Sequence, residues 1–307
     1  MQTALITHEA CMRHDMGAYH PESPQRLGAI EDRLIASGLA ALLARHIAPL
    51  ATTEQLERVH PREYIDGIRR AAPAKGLIHL DPDTAMSPGT WEASLRAAGA
   101  VVLATDLVLT KQVANAFCSV RPPGHHAMRA RSMGFCLFNN VAVGVMHAIA
   151  RHGLTRIAVI DFDVHHGNGT EDIFAGDQRV LMVSTFQHPF YPYSGTEHVA
   201  PNMLNVPLAA GSGGPQFRKV VEEQWLPALA AFAPEMIFIS AGFDAHADDD
   251  MAMLRFADAD YRWVTERLMG VATRFSAGRI ASVLEGGYDL PALGRSVEQH
   301  VRALAGL

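Results

Sequence analysis

The segment Val159-Ile-Asp-Phe-Asp-Val-His-His-Gly-Asn-Gly-Thr170 carries an apolar stretch straight into two aspartates and two histidines before a Gly-Asn-Gly turn. Alternation along a strand puts Asp163 and His165 on one side, two residue rises or ~7 Å apart, close enough to converge on one ion. A mixed aspartate and histidine donor set suits zinc, with ferrous iron as the alternative. A position left to water would make such a site catalytic rather than structural. The plain alternative is a capping aspartate with surface histidines, but four ionisable groups at the end of one apolar strand are hard to explain as packing.

Three other segments have the same design. Arg121-Pro-Pro-Gly-His-His126 follows the apolar run 113–120, and its two prolines stiffen the loop. His125 and His126 can face one pocket, as a base and its neighbour would, only if the Pro-Pro-Gly turn bends the backbone. Met236-Ile-Phe-Ile-Ser-Ala-Gly-Phe-Asp-Ala-His246 is an apolar strand, a small-residue break and then Asp244, a third candidate ligand. Ile280-Ala-Ser-Val-Leu-Glu-Gly-Gly-Tyr-Asp289 ends in a double glycine that lets Tyr288 lean over a pocket.

Apolar runs predict strands near 3–7, 114–120, 156–162, 180–186, 236–241 and 280–284. Helical periodicity covers 25–37, 90–109, 139–152, 215–232, 259–275 and 291–305, with Ser87-Pro88 and Leu290-Pro291 as start signals. Alternating strands and helices predict an α/β chain with a largely parallel central sheet and helices on both faces. Ligands of such sheets bind beyond the strand carboxyl ends, where the candidate residues gather.

The candidate residues are spread from about residue 20 to residue 288, so the 307 residues are expected to form one domain, 1–307; there is no linker, repeat or low-complexity tract. With 26 basic against 32 acidic residues and a net charge of −6, no broad basic surface is expected. Direct nucleic-acid binding is therefore not expected, whereas cationic substrates are compatible. No apolar run reaches the roughly 18 residues of a membrane span, and the first residues lack a leader pattern, which predicts a cytoplasmic chain off the membrane. Cys11, Cys118 and Cys136 are odd in number and scattered, which fits a reducing compartment. No Gly-x-Ser-x-Gly elbow points to a serine hydrolase.

Six segments, in order, resemble the histone deacetylase and acetylpolyamine amidohydrolase family in its class II-type branch. They are His20-Pro-Glu-Ser-Pro-Gln-Arg26, Arg121–His126, Gly134-Phe-Cys-Leu-Phe-Asn-Asn140, Asp161–Gly169, Ser240-Ala-Gly-Phe-Asp244 and Glu285-Gly-Gly-Tyr288. The resemblance implies the arginase/deacetylase fold and a zinc held by Asp163, His165 and Asp244. It makes His126 the general base and then acid, with His125 its electrostatic partner, and Tyr288 the donor to the developing oxyanion. It puts Asp161 behind His125 and, with Ser184, beside a structural K+. It also pairs His126 with the neutral Asn168, where class I relatives carry an aspartate.

The same resemblance implies a substrate tunnel at Gly134, Phe135 and Tyr191, an acetate exit near Arg26 and a substrate-backbone contact at Asp83. Met251 follows Asp248-Asp249-Asp250 where polyamine-selective relatives use acidic gatekeepers, which tilts toward acyl-lysine; Asp250 stands where relatives usually carry proline. The implied substrates are an acetylated lysine peptide or protein, or an acetylated polyamine, and a homo-oligomer is compatible. Two alternatives remain at this point. One is an arginase-like dimanganese ureohydrolase, which needs Asp-x-His-x-Asp rather than the Asp-x-Asp-x-His found here; the other is a catalytically silent module that binds acyl chains. Among the sixteen histidines, His8, His14, His60, His79, His246 and His300 are expected in packing or surface roles.

Overall fold

A computed structural model describes residues 1–307. The chain runs β1 (Thr3–Thr7), α1 (Gln25–Ala36), β2 (Ala44–Ile47), α2 (Thr53–Glu57) and α3 (Arg62–Ala71). A two-residue hairpin, β3 (Ile78–His79) and β4 (Ala85–Met86), precedes α4 (Thr90–Leu109), β5 (Asn115–Cys118), α5 (Asn140–His152), β6 (Ile157–Asp161) and α6 (Asn168–Phe174). Then come β7 (Val180–Gln187), β8 (Met203–Leu208), α7 (Gly214–Val220), α8 (Leu226–Phe232), β9 (Met236–Ala241), α9 (Asp258–Phe275), β10 (Ile280–Leu284) and α10 (Leu290–Ala305).

Eight strands form one sheet in the order β2-β1-β5-β10-β9-β6-β7-β8, and every neighbouring pair is parallel. The inner strands are apolar without alternation because both of their faces are covered: every residue of β5, β6, β9 and β10 is buried. From β5 through α5 to β6 the chain crosses the sheet one way, and from β9 through α9 to β10 it crosses back. Right-handed crossovers running in opposite directions put α5 and α9 on opposite faces. One contiguous cluster of 77 buried residues fills both sides, as expected of a single domain. No helix is long and apolar enough to cross a membrane.

The chain turns back between β6 and β9, which are hydrogen-bonded from Ile157↔Met236 to Asp161↔Ser240. After β6 it leaves toward β7, and after β9 it leaves toward β10, so their connecting loops separate and open a crevice at the carboxyl ends. Two details depart from the sequence expectation. The helix over 215–232 is interrupted by a π turn at Val221–Trp225, where the N–H of Leu226 reaches the carbonyl of Val221; Pro227 follows and has no N–H to continue the regular ladder. The edge strands β2 and β8 were not expected.

Candidate metal centre and active-site cavity

Strand β6 ends at Asp161, so Asp163 and His165 lie beyond it and strand alternation is not what aligns them, contrary to expectation. Two successive aspartate turns do so instead. Asp161 Oδ1 accepts from the N–H of Asp163 (3.1 Å), and Asp163 Oδ1 accepts from the N–H of His165 (2.9 Å). Each aspartate bonds the backbone two residues on, which curls the chain and turns both side chains inward. Asp163 Oδ2 then accepts from the N–H of Gly286 after β10 (2.8 Å), and Asp244 Oδ1 from the N–H of Val164 (3.0 Å). A Cβ at residue 286 would overlap Asp244 Oδ2, so only glycine fits there.

Asp163, His165 and Asp244 are all buried, and one ligand atom from each lies within 4.8 Å of the others. His165 Nδ1 is 2.9 Å from Asp163 Oδ1 and 3.3 Å from Asp244 Oδ2, and this Asp244 oxygen is buried with no hydrogen-bond partner. Burial, and then the like charge of Asp163, push the Asp244 carboxyl up to about 6. Two buried carboxylates, one with an unpartnered oxygen, and an imidazole nitrogen between them fit a divalent cation of zinc or ferrous type. A second trio, Asp106, His147 and His152, is less buried, and its polar atoms already bond one another and Arg58. The Arg58 guanidinium donates to His147 Nδ1 (2.9 Å), so Nε2 keeps its proton and donates to Asp106 (2.9 Å).

Beside the trio, the His125 and His126 rings stand 4.1 Å apart. Their Nδ1 partners differ: Asp161 Oδ2 for His125 (2.9 Å) and Asn168 Oδ1 for His126 (2.7 Å). The Asn168 amide oxygen can only accept, so His126 Nδ1 carries the proton and Nε2 has the free lone pair. Burial opposes charge on His125, but the Asp163 and Asp161 carboxylates outweigh it and hold that ring well above the ordinary histidine range. Burial, together with the positive charge of His125 and His165, holds His126 well below it.

The loop bearing both histidines is held by Glu285, to which the motif reading gave no role. Glu285 Oε2 accepts from the N–H groups of Gly124 (2.7 Å) and His125 (3.1 Å), and Oε1 from Ser240 Oγ (3.0 Å). Glu22 is another such residue: it forms a buried ion pair with Arg121 and so joins the first two sequence motifs.

A cavity of about 180 Å³ opens above His125, His126 and His165, and Phe135, Phe190, Tyr191 and Met251 form its walls with Asp83 and Tyr288. Phe135 stands edge-on to Tyr288 (6.0 Å) and Tyr191 edge-on to His126 (5.4 Å). Gly134 (φ +56°) packs on the His126 ring with no room for a Cβ, and Phe135 itself is held at φ +69°, a costly conformation for a bulky residue. Asp83 Oδ1 accepts from the N–H of Gly134 (3.2 Å), so it also anchors this wall.

Arg26 is fully buried, donates to the carbonyls of Gly287 (2.6 Å) and Glu285 (2.5 Å), and lies 4.9 Å over the Tyr288 ring. Ser184 is the register partner of Asp161, and its hydroxyl donates to Asn205 Oδ1 (3.1 Å). His8, His14, His60, His79, His246 and His300 do not line the cavity. The acidic run divides: Asp248 pairs with Arg295 (2.8 Å), Asp249 is buried and Asp250 is exposed.

Residues 20–304 match the family model described as the histone deacetylase domain. The chain is 37% identical to the histone deacetylase-like amidohydrolase of Pseudomonas aeruginosa, over 94% of this chain and 82% of that protein. It is 36% identical to a probable deacetylase of Archaeoglobus fulgidus, with the same two coverages. Against the polyamine deacetylase HDAC10 of Homo sapiens the identity is 35%, over all of this chain and 48% of that protein. The crystal structure of the HDA15 HD domain superposes with a TM-score of 0.94 at 32% identity, covering 99% of this chain and 90% of the other.

Proposed function

Because the chain belongs to the histone deacetylase family, we propose that it is a zinc-dependent amidohydrolase that removes acetyl or related acyl groups from amines, acting on acetyl-lysine in a peptide or protein or on an acetylated polyamine. The observation that carries this reading is the unpartnered Asp244 oxygen facing His165 and Asp163 beside an aromatic-walled cavity. A zinc held by Asp163, His165 and Asp244 would polarise an amide carbonyl and acidify a water.

The chain's own groups supply the rest. His126, neutral and with Nε2 free, takes the proton of the attacking water and passes it to the leaving amine. His125, held cationic by Asp163 and Asp161, favours the developing negative charge. Burial, then the Asp244 charge, raise the Tyr288 hydroxyl well above the ordinary tyrosine range, so it stays a neutral donor to the oxyanion. Phe135 and Tyr191 flank an extended acyl chain and exclude water. Asp161 and Ser184, side by side across β6 and β7, would serve a K+ site once the Ser184 hydroxyl turns from Asn205. Met251 leaves the wall apolar, which favours acyl-lysine over a polycation.

The test is kcat/KM for an acetyl-lysine peptide against acetylated polyamines, on protein carrying one zinc per chain, with Tyr288→Phe as control. A peptide preference abolished in the variant supports the reading, and a polyamine preference moves the substrate to that class. Two manganese ions per chain, or no turnover of either substrate by the zinc-loaded protein, would overturn it.

A further inference from the structure

Asp249 sits in the acidic run Asp248-Asp249-Asp250, where exposed carboxylates facing a cationic substrate would be the simple reading. Its side chain points the other way. It is 4% exposed, and both oxygens are spent on backbone N–H groups at the cavity wall. Oδ2 accepts from Tyr288 (2.6 Å) and Asp289 (3.1 Å), and Oδ1 accepts from Met251 (3.0 Å). One carboxylate thus ties Met251 to the segment that carries Tyr288.

That segment needs holding. Gly286 and Gly287 precede Tyr288, and Gly287 has φ +121°, so the backbone just before the tyrosine has little intrinsic preference for the conformation it adopts. Its carbonyls at residues 285 and 287 are gripped by Arg26, and the N–H of Gly286 by Asp163. The N–H groups of Tyr288 and Asp289 have Asp249 as their side-chain acceptor.

We propose that Asp249 is a positioning residue for the reaction: it fixes the backbone of Tyr288, and through it the place of the phenolic hydroxyl, while locking the Met251 wall at a set distance. This rests on the proposed amide hydrolysis and adds to it the device that aims the oxyanion donor. A displacement of about 1 Å in such a donor can cost about 100-fold in turnover. Asparagine at 249 retains one accepting oxygen, so it can serve either Tyr288 or Met251 but sets an NH₂ donor against the other N–H group.

The experiment is a double-mutant cycle on zinc-loaded protein: Asp249→Ala and Asp249→Asn, each alone and with Tyr288→Phe. The cycle reads kcat, KM and zinc per chain on whichever of the acetyl-lysine peptide or acetylated polyamine the wild type hydrolyses. Asp249→Ala is expected to lower kcat by roughly 10–100-fold with KM within about threefold and zinc unchanged, and Asp249→Asn to fall between it and wild type. With Tyr288→Phe present, Asp249→Ala should cost less than about threefold more, because the group it aims is already gone. Asp248→Asn, on the Arg295 side, is the control and should match wild type. Full additivity with Tyr288→Phe, or an unchanged kcat in folded, zinc-loaded Asp249 variants, overturns the proposal alone. An unchanged kcat in Tyr288→Phe by itself overturns the oxyanion role of Tyr288 and this proposal with it. If the alanine variant does not fold, the asparagine variant completes the cycle.

Discussion

Replacing Asn168 by aspartate changes a single atom type at the Nδ1 side of His126 and should move the acid limb of the pH–rate profile upward. The neighbouring ring shows the direction of this effect. His125 and His126 are adjacent, both buried, and each has one oxygen at Nδ1: a carboxylate at 2.9 Å for His125 and an amide at 2.7 Å for His126. The carboxylates around the first ring hold it well above the ordinary range, while the second is held well below. An opposite charge within about 4–6 Å raises the pKa of a histidine by about 1–3, and a 2.7 Å contact lies at the strong end.

The sign follows from the role of a base, which works only when neutral. A higher His126 pKa means that the ring is protonated at pH values where the wild type is free. Below both pKa values, kcat/KM of the variant falls about tenfold for every pH unit by which its limb lies above that of the wild type. The assay is the pH profile of kcat/KM, which reports the free enzyme, on wild type and Asn168→Asp at equal zinc content. The acid limb should move up by about 1–3 pH units while the plateau falls less. An unmoved acid limb would refute the assignment of His126 as the base.

Two further predictions concern the metal trio and the core. Gly286→Ala places a methyl against Asp244 Oδ2 and Asp163 Oδ2, so the folded variant should hold zinc at least about tenfold more weakly, read by competition with a chelator; wild-type affinity would disprove the packing argument. His300 is buried between Thr265 Oγ1 (2.7 Å) and Ser282 Oγ (2.8 Å), and burial pushes it down to about 3. Its folded pKa is below the unfolded value of about 6.5, so as pH falls below 6.5 the unfolded chain takes up a proton that the folded chain refuses. Stability should then be lost at up to about 1.4 kcal/mol per pH unit from this residue until pH reaches about 3. His300→Gln should flatten the denaturation-free-energy profile between pH 6 and 4 by about that slope, and an identical slope in the variant would contradict it.

The strands that were legible in the sequence are those buried on both faces. Residues 236–241 and 280–284 read as strands and coincide with β9 and β10, because in a covered parallel sheet an uninterrupted apolar run has no other use. The edge strands were illegible for the converse reason. β2 is Ala44-Arg-His-Ile, with exposed alternate residues, and β8 contains Asn205 and Pro207; proline is tolerated there because an edge strand has N–H groups without partners. At the site, residue types at the strand ends pointed to Asp163, His165, Asp244 and the histidine pair, which the structure brings together, though by aspartate turns and not by the strand alternation read from their spacing. The partners that aim them were not legible: Glu22 reaches Arg121 across 99 positions, Glu285 reaches Gly124 across 161, and Asp249 reaches Tyr288 across 39. No local pattern encodes a contact that depends on which strands become neighbours.

The contacts of Glu285 and Asp249 share one chemistry with those of Asp163 and Asp244, which explains how four loops from separate strands are tied into a single site. The loops beyond β5, β6 and β10 present backbone N–H groups that no strand can satisfy, because the strands have ended, and the loop beyond β9 supplies acceptors for them. A buried carboxylate from another loop accepts them in turn: Glu285 for Gly124 and His125, Asp163 for Gly286, Asp244 for Val164, Asp249 for Tyr288 and Asp289. Crowding four buried carboxyls has a cost in charge, and burial holds Asp244 up to about 6 and Glu285 up to about 7, so positive charge nearby is needed to keep the site anionic. The guanidinium of Arg26 supplies it to Asp249 and the His125 ring supplies it to Asp163, and a cation held by Asp163 and Asp244 would add to it. The carboxylates that would hold the metal are therefore also crosslinks of the scaffold. Asp163 and Asp244 each have one oxygen on a neighbouring loop's backbone and another directed at His165 or the gap beside it, so the fold and the ligand geometry are set by the same two side chains.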